Sequence, residues 1–303
     1  MGVMTSQGDA AGEPVVDRGT CSACGACVEV CPVGVFSMGP SGIGVEGAAG
    51  FGCIACAHCL MVCPSESIVV TGRDLAPGDL QELPTHGDPT PIDQVESLFR
   101  SRRSIRKFRD KEVPSGVMDR IIAAASTAPM GILPWEVGLI AFRNRTKVQA
   151  LAGDTAQGYA ALLKFMDHRP VRFLMKLLMK RATFQRINGF ILPLGRGIVD
   201  GHRKGQDRVL YDAPAALLFN HSAYADTVDA VIACTYAMLA AEALGLGTCM
   251  SGCLPPILAR RKDLLKKYGI PEGQKPALML ILGYPDVKFR KGIKRRFLTV
   301  ADY

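Results

Sequence analysis

The sequence predicts an α+β protein with a small cysteine-rich N-terminal domain and a larger C-terminal domain of mixed helices and strands. Eight of the eleven cysteines fall between positions 21 and 63, and the 240 residues after them contain only three more. A stretch rich in proline, glycine and aspartate, without hydrophobic periodicity, then precedes alternating helical and strand patterns. We therefore predict a first domain at 1–75, a linker at 76–90 and a second domain at 91–303.

The cysteines form two copies of one spacing, C-x2-C-x2-C-x3-C-P, in CSACGACVEVCP (21–32) and CIACAHCLMVCP (53–64). Disulfides are typical of short secreted chains, and the N-terminal residues lack the charged and apolar regions of a secretory signal. Structural zinc uses CxxC pairs separated by a longer loop. In the observed spacing, three thiolates of one copy and the fourth of the other hold each [4Fe–4S] cluster, although zinc or buried free thiols remain the alternative. We expect one cluster on Cys21, Cys24, Cys27 and Cys63, and a second on Cys53, Cys56, Cys59 and Cys31.

Residues 18–72 resemble the bacterial two-cluster ferredoxins, which implies a ferredoxin-like domain with two [4Fe–4S] clusters. The apolar stretches VGVFSM (33–38) and SESIVV (65–70) follow the two motifs and predict short strands. Between the motifs, GIGVEG (42–47) matches the dinucleotide-binding pattern G-x-G-x-x-G. That pattern needs a preceding strand and a following helix, whereas this copy leads to Cys53 through more glycine. We therefore predict a hairpin connection there and no nucleotide site.

Composition and charge narrow the range of partners. The chain is 48% hydrophobic and carries a net charge of +8. No apolar run reaches the roughly 18 residues that a membrane span requires, so we expect no transmembrane segment and a cytoplasmic protein. The positive charges are concentrated in three short segments, 100–111, 168–186 and 288–296. Because they are not spread over the chain like a nucleic-acid-binding face, we expect no nucleic-acid partner.

The second domain is predicted to begin with a helix at Thr90. Threonine is a common N-cap, Pro91 suits the first helical position, and Asp93 lies near the positive end of the helix dipole. Val95, Leu98 and Phe99 would form the apolar face of this helix.

Further along, VGLIAF (137–142), AALLFN (215–220) and ALMLILGYP (277–285) predict buried strands. The stretch 225–247 predicts a long buried helix that ends at Gly245. The stretch 256–271 predicts one amphipathic helix with a glycine C-cap at Gly269. Cys234, Cys249 and Cys253 are expected to serve in packing, with a redox role as the alternative for Cys249 and Cys253.

Five motifs in order, RSRRSIRKF (100–108), STAPMGILPWEV (126–137), AEALGLGTCMSG (241–252), LGYP (282–285) and KRR (294–296), resemble the nitroreductase family. The resemblance covers roughly residues 92–303. It implies a nitroreductase-like α+β flavin domain, an intertwined homodimer and FMN bound at the subunit interface. By this resemblance the residues that contact FMN are Arg102, Arg103, Ser104, Arg106, Pro129, Met130, Gly131, Ser251, Gly252, Lys294 and Arg296.

Their implied roles differ. The turn at 102–104 contacts the flavin, Arg106 lies near the pyrimidine side of the ring, and the loop at 129–131 stacks on it. The backbone at 251–252 faces the ring, and the two cations of the tail reach the phosphate.

Two features depart from the family pattern. Ile132 and Leu133 precede Pro134 and Trp135 where the family commonly has Asn and Gln, so fewer polar contacts to the flavin edge are available. The segment 154–212 is also enlarged and contains the basic, amphipathic stretch 165–184. A lid over the flavin, an ordinary packed helix, a docking face for an electron donor and a membrane-surface helix are the alternatives, with the lid as our first expectation.

These features together predict an FMN- and 4Fe–4S-dependent oxidoreductase. Clusters carry single electrons, and FMN collects two of them for delivery to an organic molecule. We expect a low-potential donor to supply the electrons and a small electrophile, such as a nitro or activated unsaturated compound, to receive them. The alternatives are NAD(P)H as direct donor to the flavin, or an electron carrier or redox sensor without turnover.

Overall fold

A computed structural model describes residues 12–46, 52–71, 78, 80–83, 90–129, 131 and 136–302. The chain forms two compact units. The first unit comprises Met1–Pro89, Met130–Val137 and Ser222–Asp226, and the second comprises Thr90–Pro129, Gly138–His221 and Thr227–Tyr303. Most of the predicted linker at 76–90 lies outside the described residues.

The first unit is built from two short helices and two antiparallel strand pairs, of which only the second is a hairpin. Its elements are β1 (Glu13–Val16), α1 (Ala26–Val30), β2 (Phe36–Gly39), β3 (Gly42–Val45), α2 (His58–Val62) and β4 (Ile68–Thr71). Strand β1 pairs with β4, and β2 pairs with β3. The strands predicted after the two cysteine motifs are confirmed as β2 and β4.

The predicted hairpin connection at 42–47 was wrong in one respect, because Gly42–Val45 is itself the second strand of the hairpin. Ile43 is only 3% exposed, and its burial holds this glycine-rich segment in register with β2. A Cβ at Gly44 would lie 2.9 Å from the Ser37 hydroxyl, so the close approach of the two strands requires glycine at this position. Gly47 lies outside the described residues.

The second unit contains a four-stranded sheet with helices on both faces. Its sheet has the order β5-β6-β8-β7, and β8 is antiparallel to both β6 and β7. The elements are α3 (Ile92–Ser101), α4 (Ser115–Ser126), β5 (Val137–Phe142), α5 (Arg145–Met166), α6 (Arg169–Leu178), α7 (Arg181–Arg186), a π-helical turn (Ile187–Ile191), α8 (Leu192–Arg203), β6 (Ala215–His221), α9 (Thr227–Ala243), β7 (Gly247–Ser251), α10 (Pro255–Leu258), α11 (Lys262–Lys267) and β8 (Lys275–Gly283).

The core of this unit follows the predicted buried segments. Every residue of β6 is buried, and β8 is buried from Met279 onward. Helix α9 presents small buried side chains such as Ala233 and Ala237, which allow close packing against the sheet and α4. The chain leaves α9 through Gly245, whose φ of 77° favours glycine. The buried strands β6 and β8 and the long buried helix are therefore confirmed, whereas 137–142 is a strand that is half-buried up to Phe142.

Two helix predictions need correction. Helix α3 begins at Ile92 because the ψ of Pro91, 127°, is extended, and Pro91 is an N-cap whose side chain has no atom that could accept a hydrogen bond. Thr90 therefore lies before the cap. The predicted apolar face of α3 is only partly covered in the single chain, where Phe99 is 54% exposed.

The stretch 256–271 forms two short helices, α10 and α11, instead of one. Arg261 breaks the helix with an extended backbone (φ −123°, ψ 88°), and its side chain binds the Asp263 carboxylate at 2.6 Å. Gly269 ends α11 with a φ of 70°, as predicted.

The enlarged segment 154–212 forms α5, α6, α7, the π-helical turn and α8. Helix α6 has no buried residue in the single chain, and the role of this part of the segment stays a prediction. Within the described part of the chain, no helix has both the length and the apolar content needed to cross a membrane.

Candidate functional site

Four thiols from both cysteine motifs surround one cavity in the first unit. The cavity is small and is lined by Cys21, Cys24, Cys27 and Cys63, with Ile43 and Ile68 among its apolar walls. Burial raises the pKa of the Cys27 thiol, and the neighbouring Cys21 and Cys24 raise it further. The structure thus brings the fourth cysteine of the second motif to the first three cysteines of the first.

The other four thiols also lie close together. Burial, followed by the proximity of Cys53, Cys56 and Cys31, raises the pKa of the Cys59 thiol to about 12. Such a thiol stays protonated at neutral pH unless a cation replaces its proton, and metal binding does so. Among the described residues, no group of three or more Cys, His, Asp or Glu side chains is arranged to hold a single metal ion. The first set surrounds a cavity, which suits a cluster of several irons.

Backbone N–H groups point at the sulfur atoms in the same way in both motifs. The N–H groups of Ala23 and Ala55 donate to Cys21 Sγ at 3.4 Å and to Cys53 Sγ at 3.2 Å. Those of Val35 and Ser67 donate to Cys31 Sγ at 3.4 Å and to Cys63 Sγ at 3.3 Å. Hydrogen bonds to sulfur stabilise thiolates and tune cluster potential.

The two alanines that donate these hydrogen bonds have a backbone in the left-handed region, with a positive φ. Ala23 and Ala55 have φ values of 52° and 50°, and Ala57 has a φ of 64° where the first motif has Gly25. Positive φ is uncommon in alanine and costs on the order of 1 kcal/mol per residue. The repetition of this conformation at the same two motif positions ties it to the thiol sites.

In the second unit, the predicted flavin-contacting turn lies between α3 and the edge strand β7. Ser104 forms an isolated parallel bridge with Thr248, and the Ile105 N–H donates to the Thr248 carbonyl at 2.8 Å. Arg102 and Arg103 are half-buried at the end of α3. The turn is therefore anchored to the strand that ends at Ser251.

The C-terminal tail approaches the same turn. A Cβ at Gly292 would meet the Arg103 guanidinium, so the tail passes directly over this arginine. Arg103 Nη1 also donates to the carbonyls of Arg100 and Arg102, each at 2.6 Å. Lys294 and Arg296 follow on an exposed segment without helix or strand. The structure brings the tail as far as Gly292 to the arginine turn, and the two cations lie just beyond that contact.

The remaining predicted flavin residues are spread over other elements. Arg106 is exposed and lies 5.7 Å from the ring centroid of Tyr211, whose own φ is 56°. Gly252 is exposed, and an added Cβ there would meet no atom within 4 Å, so this backbone borders open space. Pro129 and Gly131 are exposed and belong to different units. Met130 and the residues 132–135, where the sequence departs from the family pattern, lie outside the described residues.

The three later cysteines are packed side chains. Burial raises the pKa of the Cys234 thiol to about 12, and Cys249 is only 3% exposed. Burial also raises the pKa of Cys253, whose sulfur lies 3.0 Å from the Ser251 hydroxyl.

Two residues near the arginine turn escaped the sequence analysis. Glu242 on α9 accepts a hydrogen bond from the Ser101 hydroxyl at 3.4 Å. Burial raises the pKa of Glu242, while Ser101, Arg102 and Arg103 oppose that rise. Thr248 Oγ1 is buried and finds no hydrogen-bond partner among the described residues. Both residues stand inside the motif AEALGLGTCMSG, but only the tertiary contacts mark them.

Comparison with known proteins identifies the class of each part of the chain. Residues 99–284 match the nitroreductase family, and residues 20–68 match the 4Fe-4S dicluster domain. The chain belongs to the nitroreductase family and carries an N-terminal ferredoxin-type domain. The predicted fold class and the assignment as an oxidoreductase of this family are confirmed, as are FMN and 4Fe–4S clusters as the cofactors these two domains imply.

Particular relatives resemble the second part of the chain. A putative NADH dehydrogenase/NAD(P)H nitroreductase of Methanothermobacter thermautotrophicus is 26% identical over 201 residues, which are 66% of this chain and 81% of that protein. An FMN reductase [NAD(P)H] of Bacillus subtilis is 26% identical over 199 residues, 64% of this chain and 67% of that protein. The crystal structure of an FMN-bound nitroreductase from Bacteroides fragilis has a TM-score of 0.51 at 21% identity and covers 69% of this chain and 99% of its own. This last likeness supports the fold.

Proposed function

We propose that the protein receives electrons from a low-potential donor at its dicluster domain, passes them to FMN and reduces a small electrophilic organic molecule. The observation that carries the proposal is the pair of thiol sets in the first unit, joined in one chain to a nitroreductase domain. When bound, the clusters supply single electrons and FMN delivers them in pairs to an organic acceptor. A nitro or activated unsaturated compound is the substrate class that suits such delivery.

Within this proposal, each thiol set holds one cubane. Cys21, Cys24, Cys27 and Cys63 share the cavity, which supports their assignment to one cluster. The proximity of Cys31 to Cys53, Cys56 and Cys59 supports the other set. The N–H donors to the sulfur atoms offset thiolate charge, which stabilises the reduced form of a cluster and raises its potential.

The flavin would be held by the arginine turn, the end of β7 and the tail. Arg102 and Arg103 supply cations for the phosphate, since guanidinium groups match phosphate oxygens. The exposed backbone at Gly252 leaves room for a planar ring, and the orphan hydroxyl of Thr248 is a further polar group near the turn. Arg106, stacked near Tyr211, contributes positive charge that favours an anionic reduced flavin.

We further propose a homodimer, with the tail and α3 at its interface. Large apolar side chains are exposed there in the single chain, including Ile92 at 66%, Ile293 at 84% and Phe297 at 82%. Exposed apolar patches of this kind mark interaction surfaces. Sedimentation of the intact protein measures the oligomeric state, and a monomer at micromolar concentration would contradict this part of the proposal.

A second candidate keeps NAD(P)H as the direct donor to the flavin, with the dicluster domain as an outlet for electrons. The names of the Methanothermobacter and Bacillus relatives, both of which mention NAD(P)H, favour it. The two candidates differ in whether the clusters are needed for flavin reduction by the physiological donor.

The variant Cys24→Ala separates them. Cys24 is exposed within its set, so its loss should damage one cluster while the flavin domain keeps its own core and still binds FMN. Cys234→Ala removes a buried thiol far from both motifs in sequence and serves as the control. FMN reduction is followed anaerobically by absorbance with three reductants: a reduced ferredoxin, NADPH or NADH, and a small chemical reductant.

The proposal predicts that Cys24→Ala loses reduction by ferredoxin but keeps chemical reduction and substrate turnover. The control should keep all of them. Two results together would instead establish the second candidate. Cys24→Ala would keep the wild-type rate with NAD(P)H, and ferredoxin would reduce the flavin of neither Cys24→Ala nor the wild type. Equal loss with every reductant would assign the dicluster domain a structural role. A reduced flavin that no acceptor in a panel of nitro and unsaturated compounds reoxidises would favour an electron carrier.

A further inference from the structure

Helix α6 presents an apolar surface that nothing in the single chain covers. Phe173 is 71% exposed, Leu174 53%, Leu177 70% and Leu178 73%. These residues stand at positions i, i+1, i+4 and i+5 and therefore share one face of the helix. On α6 only Val171 and Met175, which adjoin this face next to Leu178, are partly covered by the protein. The helix thus lies along the surface with its apolar face turned to the solvent.

Cations border this face, and the nearest acids along the chain, Asp167 and Asp200, are paired with Arg196 and Arg203. Arg169, Arg172 and Lys176 follow one another at intervals of three and four residues, so they form a single stripe on α6. The segment 168–199 contains no aspartate or glutamate. Within the described part of the chain, none of its exposed cations at 169, 172, 176, 180, 181 and 186 forms an ion pair. The occupant of this face must therefore be apolar and also bring negative charge.

Contact of this face with the same face of a second copy does not meet that requirement. Such a contact would bring two clusters of six cations together, and the segment 168–199 supplies no carboxylate to pair with them. An anionic bilayer meets both conditions at once. Its acyl boundary accepts Phe and Leu side chains along a helix of about 15 Å, and its headgroups pair with the flanking Lys and Arg residues.

We propose that α6 and the start of α7 form a peripheral anchor, in which α6 lies in the plane of an anionic lipid surface. Phe173, Leu174, Leu177 and Leu178 enter the boundary between headgroups and acyl chains. The cations remain at headgroup level, where Lys and Arg stems extend toward the water. This inference concerns a surface of the second unit and does not depend on which donor reduces the flavin.

Vesicle binding tests the charge requirement with a matched pair of variants. Lys176 and Lys180 are exposed lysines four residues apart at this surface, and Lys262 and Lys266 are exposed lysines with the same spacing on α11. The full-length protein, prepared without oxygen, is mixed with vesicles of phosphatidylcholine alone or with phosphatidylglycerol, and the bound fraction is measured by flotation. We expect binding to the anionic vesicles only, with loss at high salt.

K176E/K180E should lower the partition coefficient by about 30-fold or more, since each cation near an anionic surface contributes about fivefold. K262E/K266E, with the same change of net charge, should bind within about twofold of wild type. Equal effects of the two variants would show that only the overall charge of the protein matters and would overturn the proposal. So would binding that neither variant changes, which would place the contact elsewhere, for example on the basic tail at 288–296.

A second measurement tests insertion independently of charge. In F173W, vesicles of brominated phosphatidylglycerol should quench the fluorescence of the added tryptophan. The wild type, which contains a single tryptophan, is measured in the same way, and the quenching in F173W should exceed it. F173S/L177S removes two exposed side chains, should leave thermal unfolding unchanged, and should reduce vesicle binding at least tenfold. Absence of quenching, or F173S/L177S binding at the wild-type level, would overturn the anchor. Dissociation of a dimer by F173S/L177S in the absence of lipid would instead assign this face to a second copy.

Discussion

Replacing Arg102 with alanine is expected to weaken FMN binding far more than replacing Lys294. Arg102 is half-buried beside Glu242, so its guanidinium is partly shielded from water and held in place. A charge-assisted hydrogen bond in such a setting contributes roughly 1.5–3 kcal/mol, which corresponds to a rise in Kd of about 10- to 150-fold. Lys294 is exposed on the tail, where an ion pair in water contributes so little that we expect a rise of about fivefold at most.

Stripped protein is titrated with FMN at fixed ionic strength, and the quenching of flavin fluorescence gives Kd. Arg120→Ala removes an exposed cation from α4 and controls for the overall loss of charge. Arg102→Ala/Lys294→Ala should show the product of the two single effects unless both cations bind one phosphate oxygen, in which case the effects couple. A Kd of Arg102→Ala within twofold of wild type, or an equal effect of Arg120→Ala, would refute the assignment of the arginine turn to the phosphate.

Three further predictions concern metal content, packing and pH. Protein purified without oxygen should contain about eight iron atoms per chain by elemental analysis, the sum of two cubanes, and tightly bound zinc without iron after reconstitution would contradict the ligand assignment. Gly247→Ala should lower the free energy of unfolding by about 1–3 kcal/mol in urea, because the new Cβ would lie 2.5 Å from Ile105 Cγ1. Its control, Gly116→Ala on α4, meets no atom within 4 Å and should raise that free energy by about 0.4–1 kcal/mol. Burial raises the pKa of Glu242, so the carboxyl of the unfolded chain loses its proton at lower pH than the carboxyl of the folded chain. As the pH rises above 4.5, the free energy of unfolding of the wild type should therefore fall relative to that of Glu242→Gln. Parallel pH profiles of the two proteins would contradict this prediction.

Most predictions about the first unit followed from the spacing of its cysteines. Three cysteines spaced three residues apart can hold one cluster, and a motif whose fourth cysteine binds the other cluster needs a second copy, so the local spacing was enough to predict both sets. The strands after each motif were also predicted from local apolar patterns. The assignment of Gly42–Val45 failed because glycines alternate with the two apolar residues of that stretch, and the burial of Ile43, but not of Val45, is a property of the folded core.

In the second unit, the sequence alone determined the buried strands, the helix that ends at Gly245 and the order of the family motifs, because these depend on periodicity and on single special residues. The tertiary structure decided which distant residues meet. Glu242 reaches Ser101 across 141 positions, and Gly292 lies against Arg103, yet neither glutamate nor glycine is unusual in its local context. It also decided that the apolar face of α6 stays exposed. An amphipathic pattern specifies that a face needs a partner, and only the packing of the whole unit determines whether the chain itself supplies one.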